Sequence, residues 1–492
     1  MLDSSSSGSR GRAWHRRSRG IWLSVIAVAG VLALGVPAAS VAAAPAAGAQ
    51  SAGSAARTTA LYKTAQQYVI RFWPRWISSF QQAAYVHSVG PDQLIGPTHI
   101  GPQFRIINAI NNDTIYCSSF FVDLRLGPAI LTIPATKTVF SVQWFDVFGT
   151  TFKTNVAPSK PGRYALVLKG SRVRLPRGIT KVVVPYPVSF WIFRADRYSN
   201  TGVNMIKEAT AFRLALRMAT LAEYKKNPNA GAPEIKPLIP FFIFPFKTAQ
   251  DLAVTLTPNV FLRQTQKAVA NPNTQPMYPS DLQLSQAFNK DFAAAQQAAR
   301  HGNPIPLRTI DAAALNAYRA IVTTYKSHVG HTNWVHFTNI AAWGTAYLDR
   351  AATTEYCQWC NLESSAGYWN AFVDGAGRAL NGARHSYQLT FPAGNIPQAK
   401  RFWSVTAYTP RNVNVVRNSA NKYLVASYTP HLKKNPNGSI TITMAPTRPR
   451  NVPMANWLPV PRGRFSIMLR VYGPTGNTAN PNYLPPAVTA TR

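Results

Sequence analysis

The chain is 492 residues long and carries 52 Lys and Arg against 17 Asp and Glu, a formal net charge of +35 at neutral pH. With 46% hydrophobic and 11% aromatic residues it holds material for two or three packed cores, which excludes a chain too polar to fold. A field of this sign attracts anionic polymers or membranes; the bland alternative is a basic surface that serves solubility or follows an Arg-favouring genome.

Arg10, Arg12, Arg16, Arg17 and Arg19 precede an uncharged apolar run from Ile21 to Val36. Ala42-Ala43-Ala44 and Ala47-Gly48-Ala49 then offer small-residue cleavage sites. Residues 1–49 therefore read as a secretory signal, with an uncleaved N-terminal anchor as the alternative. The apolar run is shorter than the roughly 20 residues of a spanning helix. Removing the signal leaves a mature charge of about +31. No other window is long and apolar enough to cross a bilayer, so the mature chain is expected to be secreted or wall-associated. The partners expected there are anionic envelope polymers, glycans or lipid head groups rather than nucleic acid, and a homo-oligomer stays open.

Residues 50–60 form an Ala/Gly/Ser tether. Leu61 to Val86 has helical spacing, interrupted at Pro74, and leads a first β domain over 61–200. Its strand-like runs include Thr138 to Phe145, Tyr164 to Leu168 and Lys181 to Val184, separated by Pro and Gly. Residues 201–345 read as a helical connector, with amphipathic stretches at Ile206 to Tyr224, Pro279 to Ala299 and Thr309 to Tyr325. A Pro- and Phe-rich segment, Pro237 to Phe246, lies among them. A second β domain fills 346–480, with runs at Ser386 to Phe391, Phe402 to Tyr408, Ser439 to Met444 and Phe465 to Tyr472. A tail follows at 481–492.

Chemistry is sparse. No nucleophile elbow, Walker loop, dinucleotide Gly fingerprint or zinc-protease motif is present, and no cofactor is expected. Cys357 and Cys360 form a C-x-x-C, read as a local disulfide in an oxidising compartment. Cys117 is left over in an apolar strand. His328, His331 and His336 have a spacing that imidazole ligands could use, but Gly330 marks a loop and no carboxylate or Cys lies between them, so no metal is assigned. Asp113 and Asp146 sit in apolar, β-rich surroundings. They could form an acid/base pair for glycoside cleavage. Alternatively, Asp113 ties a turn and Asp146 pairs with a buried Arg.

Several of these segments resemble a known bacterial arrangement. Asn111-Asn112-Asp113-Thr114-Ile115-Tyr116, Phe140 to Asp146, Pro161-Gly162-Arg163-Tyr164 and Arg194 resemble domain-of-unknown-function family 1254. Gly344 to Ala351 resembles the junction. Leu380-Asn381-Gly382, Phe402 to Tyr408, Asn456-Trp457-Leu458-Pro459 and Arg470-Val471-Tyr472 resemble family 1214. The resemblance implies a mainly β fold with a helical insert: an immunoglobulin-like sandwich, a helical connector and a jelly-roll-like sandwich. It implies no activity. Arg194, Arg350 and Arg470 are candidate anion contacts, Trp403 and Trp457 candidate stacking surfaces, and Asn112, Tyr116, Gln143 and Tyr408 further candidate ligand contacts. The readings carried forward are a binding protein for an anionic or glycan envelope component, an envelope hydrolase using the Asp pair, and a structural envelope protein.

Overall fold

The computed structural model describes residues 52–88, 90–96, 101–103, 107–154, 160–234, 246–271, 277–357 and 359–491. The signal segment and most of the Pro237 to Phe246 run lie outside these residues. No helix among the described residues is long and apolar enough to cross a membrane.

The opening helix runs from Ala52 to Ser88 and passes through Pro74 without ending, contrary to the interruption expected there. A mid-helix proline costs about 3 kcal/mol. Burial on both sides of it offsets that cost: Tyr68, Phe72, Trp73, Trp76 and Ile77 are all essentially inaccessible. They pack against Phe261, Leu262, Phe288, Ile310, Ala314, Ala317 and Ile321. These come from the helices Pro258–Val269, Pro279–Arg300 and Ile305–Ser327. The opening helix thus packs on the later helices, and the same cluster takes in Tyr116, Phe145, Phe190 and Ile192 of the first sandwich.

The first sandwich contains β1 (Thr114–Asp123), β2 (Ala129–Ile133), β3 (Phe140–Phe145), β4 (Thr151–Thr154), β5 (Gly162–Leu168), β6 (Thr180–Val184), β7 (Val188–Asp196) and β8 (Arg217–Thr220). One sheet has the order β1-β7-β3-β4 and the other β6-β5-β2-β8. Strand β8 falls inside the stretch expected to be one helix, 206–224. The chain instead leaves the helix Ile206–Ala215 at an extended Leu216 and pairs Met218 and Ala219 with β2 before re-entering a helix at Leu221. Between the sheets lie Val142, Trp144, Trp191, Phe193, Leu131, Leu166 and Cys117.

The second sandwich contains β9 (Trp334–His336), β10 (Ala366–Ala371), β11 (Ser386–Phe391), β12 (Ala399–Tyr408), β13 (Leu424–Ala426), β14 (Ile440–Ala445), β15 (Trp457–Pro459), β16 (Ser466–Pro474) and β17 (Thr489–Thr491). Its sheets run β13-β12-β16-β10-β9 and β15-β14-β11-β17. Trp369, Trp403, Val405, Leu469, Val471, Leu389, Phe391 and Ile442 fill the space between them.

Period-2 alternation explains what happens next. Because Val142, Trp144, Trp191 and Phe193 point into the first core, Ser141, Gln143, Ile192, Arg194 and Asp196 take the opposite face. Because Trp403, Val405, Leu469 and Val471 point into the second core, Phe402, Ser404, Arg470 and Tyr472 take its opposite face. These two faces meet. Arg401 crosses between them: its Nε lies 2.9 Å from one Asp196 oxygen, its Nη2 also donates to Asp196, and its Nη1 donates to Ser141 Oγ at 3.0 Å. Both partners are largely buried.

A buried pair of this kind is costly to break from one side, because the remaining charge is stranded. Arg401→Ala is expected to lower the unfolding free energy by about 3–5 kcal/mol in chemical denaturation. Arg411→Ala, at an exposed cation, should change it by less than about 0.5 kcal/mol.

Candidate functional site

The meeting of the two sheets leaves a cleft. It is lined by residues 107–111, Thr114, Tyr116, Ile192, Arg194, Cys357, Trp359, Cys360, Tyr368, Arg470 and Tyr472. The space, including its mouth, is about 460 Å³. Two guanidinium groups line it and no carboxylate does.

Each cation is held by a different element. Arg194 sits on β7, paired with Tyr116 of β1 and Ser141 of β3. Its Nη1 donates to Gln143 Oε1 at 3.1 Å. Gln143 in turn donates through Nε2 to the carbonyls of Cys360 at 2.8 Å and Trp359 at 3.2 Å. Arg470 sits on β16, paired with Tyr368 and Ser404. It is 3% exposed. Its Nη2 donates to the Ala109 carbonyl at 2.5 Å, and its Nη1 has no acceptor among the described residues. Tyr408 OH donates to the same Ala109 carbonyl at 3.1 Å, with its ring under the Arg470 guanidinium.

The nearby acids are otherwise engaged. Asp196 is taken by Arg401. Asp113 is fully buried and accepts from Asn111, from Ser404 Oγ at 2.9 Å and from Tyr472 OH at 3.4 Å. Burial, with Asp113 as a secondary cause, pushes the Tyr472 hydroxyl well above its usual range, so it stays protonated and donating. One carboxylate behind two guanidinium groups leaves the cleft with a surplus positive charge.

One wall is the Cys357–Cys360 loop. The two cysteines form a disulfide with Cα atoms 5.8 Å apart. Cys357 caps the C-terminal end of the helix Tyr347–Tyr356. A helix C-terminus disfavours a thiolate, unlike the helix-start position of redox-active C-x-x-C motifs. Trp359 takes a left-handed backbone with φ 63° and stacks against both Phe145 and Phe190. Gly149 passes under it: a Cβ there would stand 3.3 Å from the indole, and its φ is +73°.

Behind the cleft, Asn108 donates to the Glu355 carbonyl at 3.1 Å. Glu355 and Asp251 both accept from the buried Lys247 ammonium. Burial alone would lower the Lys247 pKa, but those two carboxylates raise it, so the ammonium persists.

Of the residues singled out in the sequence, Tyr116, Arg194 and Arg470 converge on the cleft. Gln143 and Tyr408 support the two cations. Asn112 stands beside it and offers its carbonyl to Arg197 Nη1 at 2.9 Å. The others lie elsewhere. Arg350 donates to the Arg71 carbonyl at 2.9 Å and lies over Phe148 and Tyr347 in the helical layer. Trp403 is in the second core, and Trp457 is buried with Nε1 donating to the Ala445 carbonyl at 2.9 Å, so neither offers a stacking face.

The aspartate pair is also corrected. Asp146 closes a turn, accepting from the Phe148 and Thr150 amides at 2.8 and 3.0 Å. The strand register places Thr114 opposite Asp196 and Phe145 opposite Phe190, so the two carboxylates are separated by about 25 Å along the sheet. Glycoside cleavage needs roughly 5–9.5 Å. Tyr368 also lines the cleft; Asn108 and Tyr472 complete it and were not singled out as ligand contacts.

The residues matched to known families bracket this cleft. Residues 92–220 match DUF1254 and residues 365–476 match DUF1214, each described as a protein of unknown function. The chain thus carries a match to DUF1254 ahead of a match to DUF1214. Arg194 and Tyr116 come from the DUF1254 unit, Arg470, Tyr368 and Tyr472 from the DUF1214 unit, and the disulfide from the segment between. The VPA0106 protein from Vibrio parahaemolyticus has a similar fold: 18% identity, 88% of this chain and 100% of that chain covered, TM-score 0.54. A protein from Burkholderia cenocepacia is 13% identical over 89% of this chain and 95% of its own, with a TM-score of 0.42. No curated protein matches.

Two expectations follow. Replacing Cys357 and Cys360 with Ser should lower stability by about 2 kcal/mol, the loop-closure value for so short a ring, with the fold retained by circular dichroism. A pH effect comes from the β9–β10 side of the second sandwich. Burial pushes Glu363 up to about 8, and burial lowers His336, 3.6 Å away. Folded Glu363 keeps its proton where the unfolded chain has lost it, so its contribution falls as pH rises from about 4.3 to 8. His336 acts oppositely, its contribution being lost as pH drops below about 6.5. Glu363→Gln should flatten the alkaline decline and leave the acid one, as read by thermal melts from pH 5 to 9.

Proposed function

We propose that this protein is an exported binding protein whose interdomain cleft takes the anionic group, a carboxylate or phosphate, of an envelope component. One observation carries the reading: Arg194 and Arg470 face a shared space, and among the described residues no carboxylate lines it and the buried Arg470 Nη1 has no acceptor. Buried polar groups are nearly always paired, so an orphaned guanidinium N–H argues for an acceptor supplied from outside the protein. A carboxylate spanning the two guanidinium groups would form charge-assisted bonds, each worth about 1.5–3 kcal/mol.

The roles divide by construction. Arg470 supplies the fixed charge, since the Ala109 carbonyl and the Tyr408 ring hold it in place. Arg194, less buried and tethered only to Gln143, closes from the other domain. Tyr116 and Tyr368 supply walls. The signal-like N-terminus and the basic mature charge support a location outside the cytoplasm.

The test uses inorganic phosphate, acetate and succinate as probes of the mature chain. At least one should raise the melting temperature in a saturable way, and calorimetry should give a defined stoichiometry near one. Arg470→Met and Arg194→Gln should each weaken that binding at least tenfold, one charge-assisted bond's worth. A linear, unsaturable response that both variants share with the parent would defeat the reading.

A further inference from the structure

A second basic feature lies away from the cleft. The last 118 residues, Gly375 to Arg492, contain 15 Lys and Arg and no Asp or Glu. The fold gathers five of these arginines at one end of the second sandwich. Three loops meet there: the one entering β11, the one joining β14 to β15 and the one joining β15 to β16. Gly382 N donates to the Gly463 carbonyl at 2.9 Å, and Asn381 bridges Arg464. A Cβ on Gly382 would stand 3.2 Å from Pro446 and 2.3 Å from the Pro461 carbonyl. The parallel pairing of Ala445 with Pro459 brings the second and third loops out side by side.

From these loops project Arg384, Arg448, Arg450, Arg462 and Arg464, all exposed. Arg448 bonds its own loop, through Nη1 to the Val452 carbonyl at 2.6 Å. Arg384, Arg450, Arg462 and Arg464 have no ion-pair partner among the described residues. The carboxylate next in the chain, Asp374, is held by Arg378. Lys326, at the end of the helix Ile305–Ser327, is exposed and close enough to Arg464 for the two charges to repel. Like charges left together at a cost in repulsion need a reason. Pro446, Pro449, Pro453 and Pro461 stiffen the backbone of the same loops, so less backbone ordering is left to do on binding.

We infer that this arginine-tipped end of the second sandwich docks a linear polyanion with closely spaced phosphate or carboxylate groups. Charge complementarity selects the occupant. Several separated guanidinium groups on stiff loops match a repeating charge, whereas one small anion would engage at most two of them. A lipid surface is the less fitting partner, because among the large hydrophobic residues of these three loops only Met454 is strongly exposed. The inference is independent of the cleft: it uses none of its residues.

The experiment compares three forms of the mature chain by retention and fluorescence anisotropy. The probes are inorganic polyphosphate, poly-glutamate and vesicles containing phosphatidylglycerol. The first form is unaltered. The second carries Arg384→Gln, Arg448→Gln, Arg450→Gln, Arg462→Gln and Arg464→Gln. The third carries Lys169→Gln, Arg172→Gln, Arg174→Gln, Arg177→Gln and Lys181→Gln, the same charge change on an exposed stretch of the first sandwich. The second form should bind polyphosphate or poly-glutamate at least tenfold more weakly at 150 mM salt and lose about 3 from the log–log salt slope, roughly 0.7 for each of the four unpaired arginines. The third should lose less than threefold. Preference between the two polymers identifies phosphate or carboxylate as the source. If the second form fails to fold, Arg450→Gln with Arg462→Gln is measured instead and should still lose more than threefold. Equal losses in the second and third forms would show that net charge alone acts and overturn the inference. So would binding confined to vesicles. The cleft variants should leave polymer binding unchanged, so failure of either proposal is visible without the other.

Discussion

Among the contacts that join the two halves, the Arg401–Asp196 pair is the ionic one that ties sheet face to sheet face. Each sandwich could bury its own core alone. What the pair adds is a fixed relation between two sheet faces that the pleat would otherwise leave to solvent. Asp196 ends β7 and Arg401 sits in the irregular start of β12, where the register with β16 breaks between Ala399 and Phe402. Once that corner is pinned, Ser404 reaches Asp113, Tyr472 follows it, and Arg470 is carried over the Ala109 carbonyl. The charges are nearly balanced at the pinned corner and unbalanced beside it, which is why the cleft is cationic although acids lie near.

The helical layer serves the same end. The opening helix crosses behind the first sheet with its aromatic face buried, and Gln81 accepts from the Trp359 indole N–H. That bond fixes the disulfide loop as a wall of the cleft. The carbonyls of that loop hold Gln143, and Gln143 holds Arg194. Arg194 is therefore positioned by residues far from it in the chain.

Much of the architecture was legible in the sequence. Alternation marked β3 and β12, amphipathic spacing marked the helices Pro279–Arg300 and Ile305–Ser327, and family-like segments placed both sandwiches. The helices Phe246–Leu256 and Pro258–Val269 were hidden beside a Pro- and Phe-rich stretch that breaks any period. β8 was hidden because Leu216, Met218 and Leu221 continue an apolar spacing that suits a helix, and only pairing with β2 makes it a strand. The site was legible in part. Arg194 and Arg470 stood out because they fall in segments that resemble the two families. Tyr472 did not, because a sheet buried on both faces puts aromatics on each and hides which face meets the other domain. Trp403 and Trp457 misled for the related reason that a tryptophan flanked by polar residues suits a core position whenever its N–H finds a carbonyl. Asp113 and Asp146 looked alike in local sequence, and only the strand register shows them at opposite ends of one sheet.

A crystal structure of the mature protein grown in phosphate tests the central claim most directly. The account predicts a bound anion in the cleft, within hydrogen-bond distance of Arg470 Nη1 and reached by Arg194 from the facing sheet. Phosphate found only on exposed arginines, with the cleft holding water alone and Arg470 Nη1 bonded to it, would contradict the account.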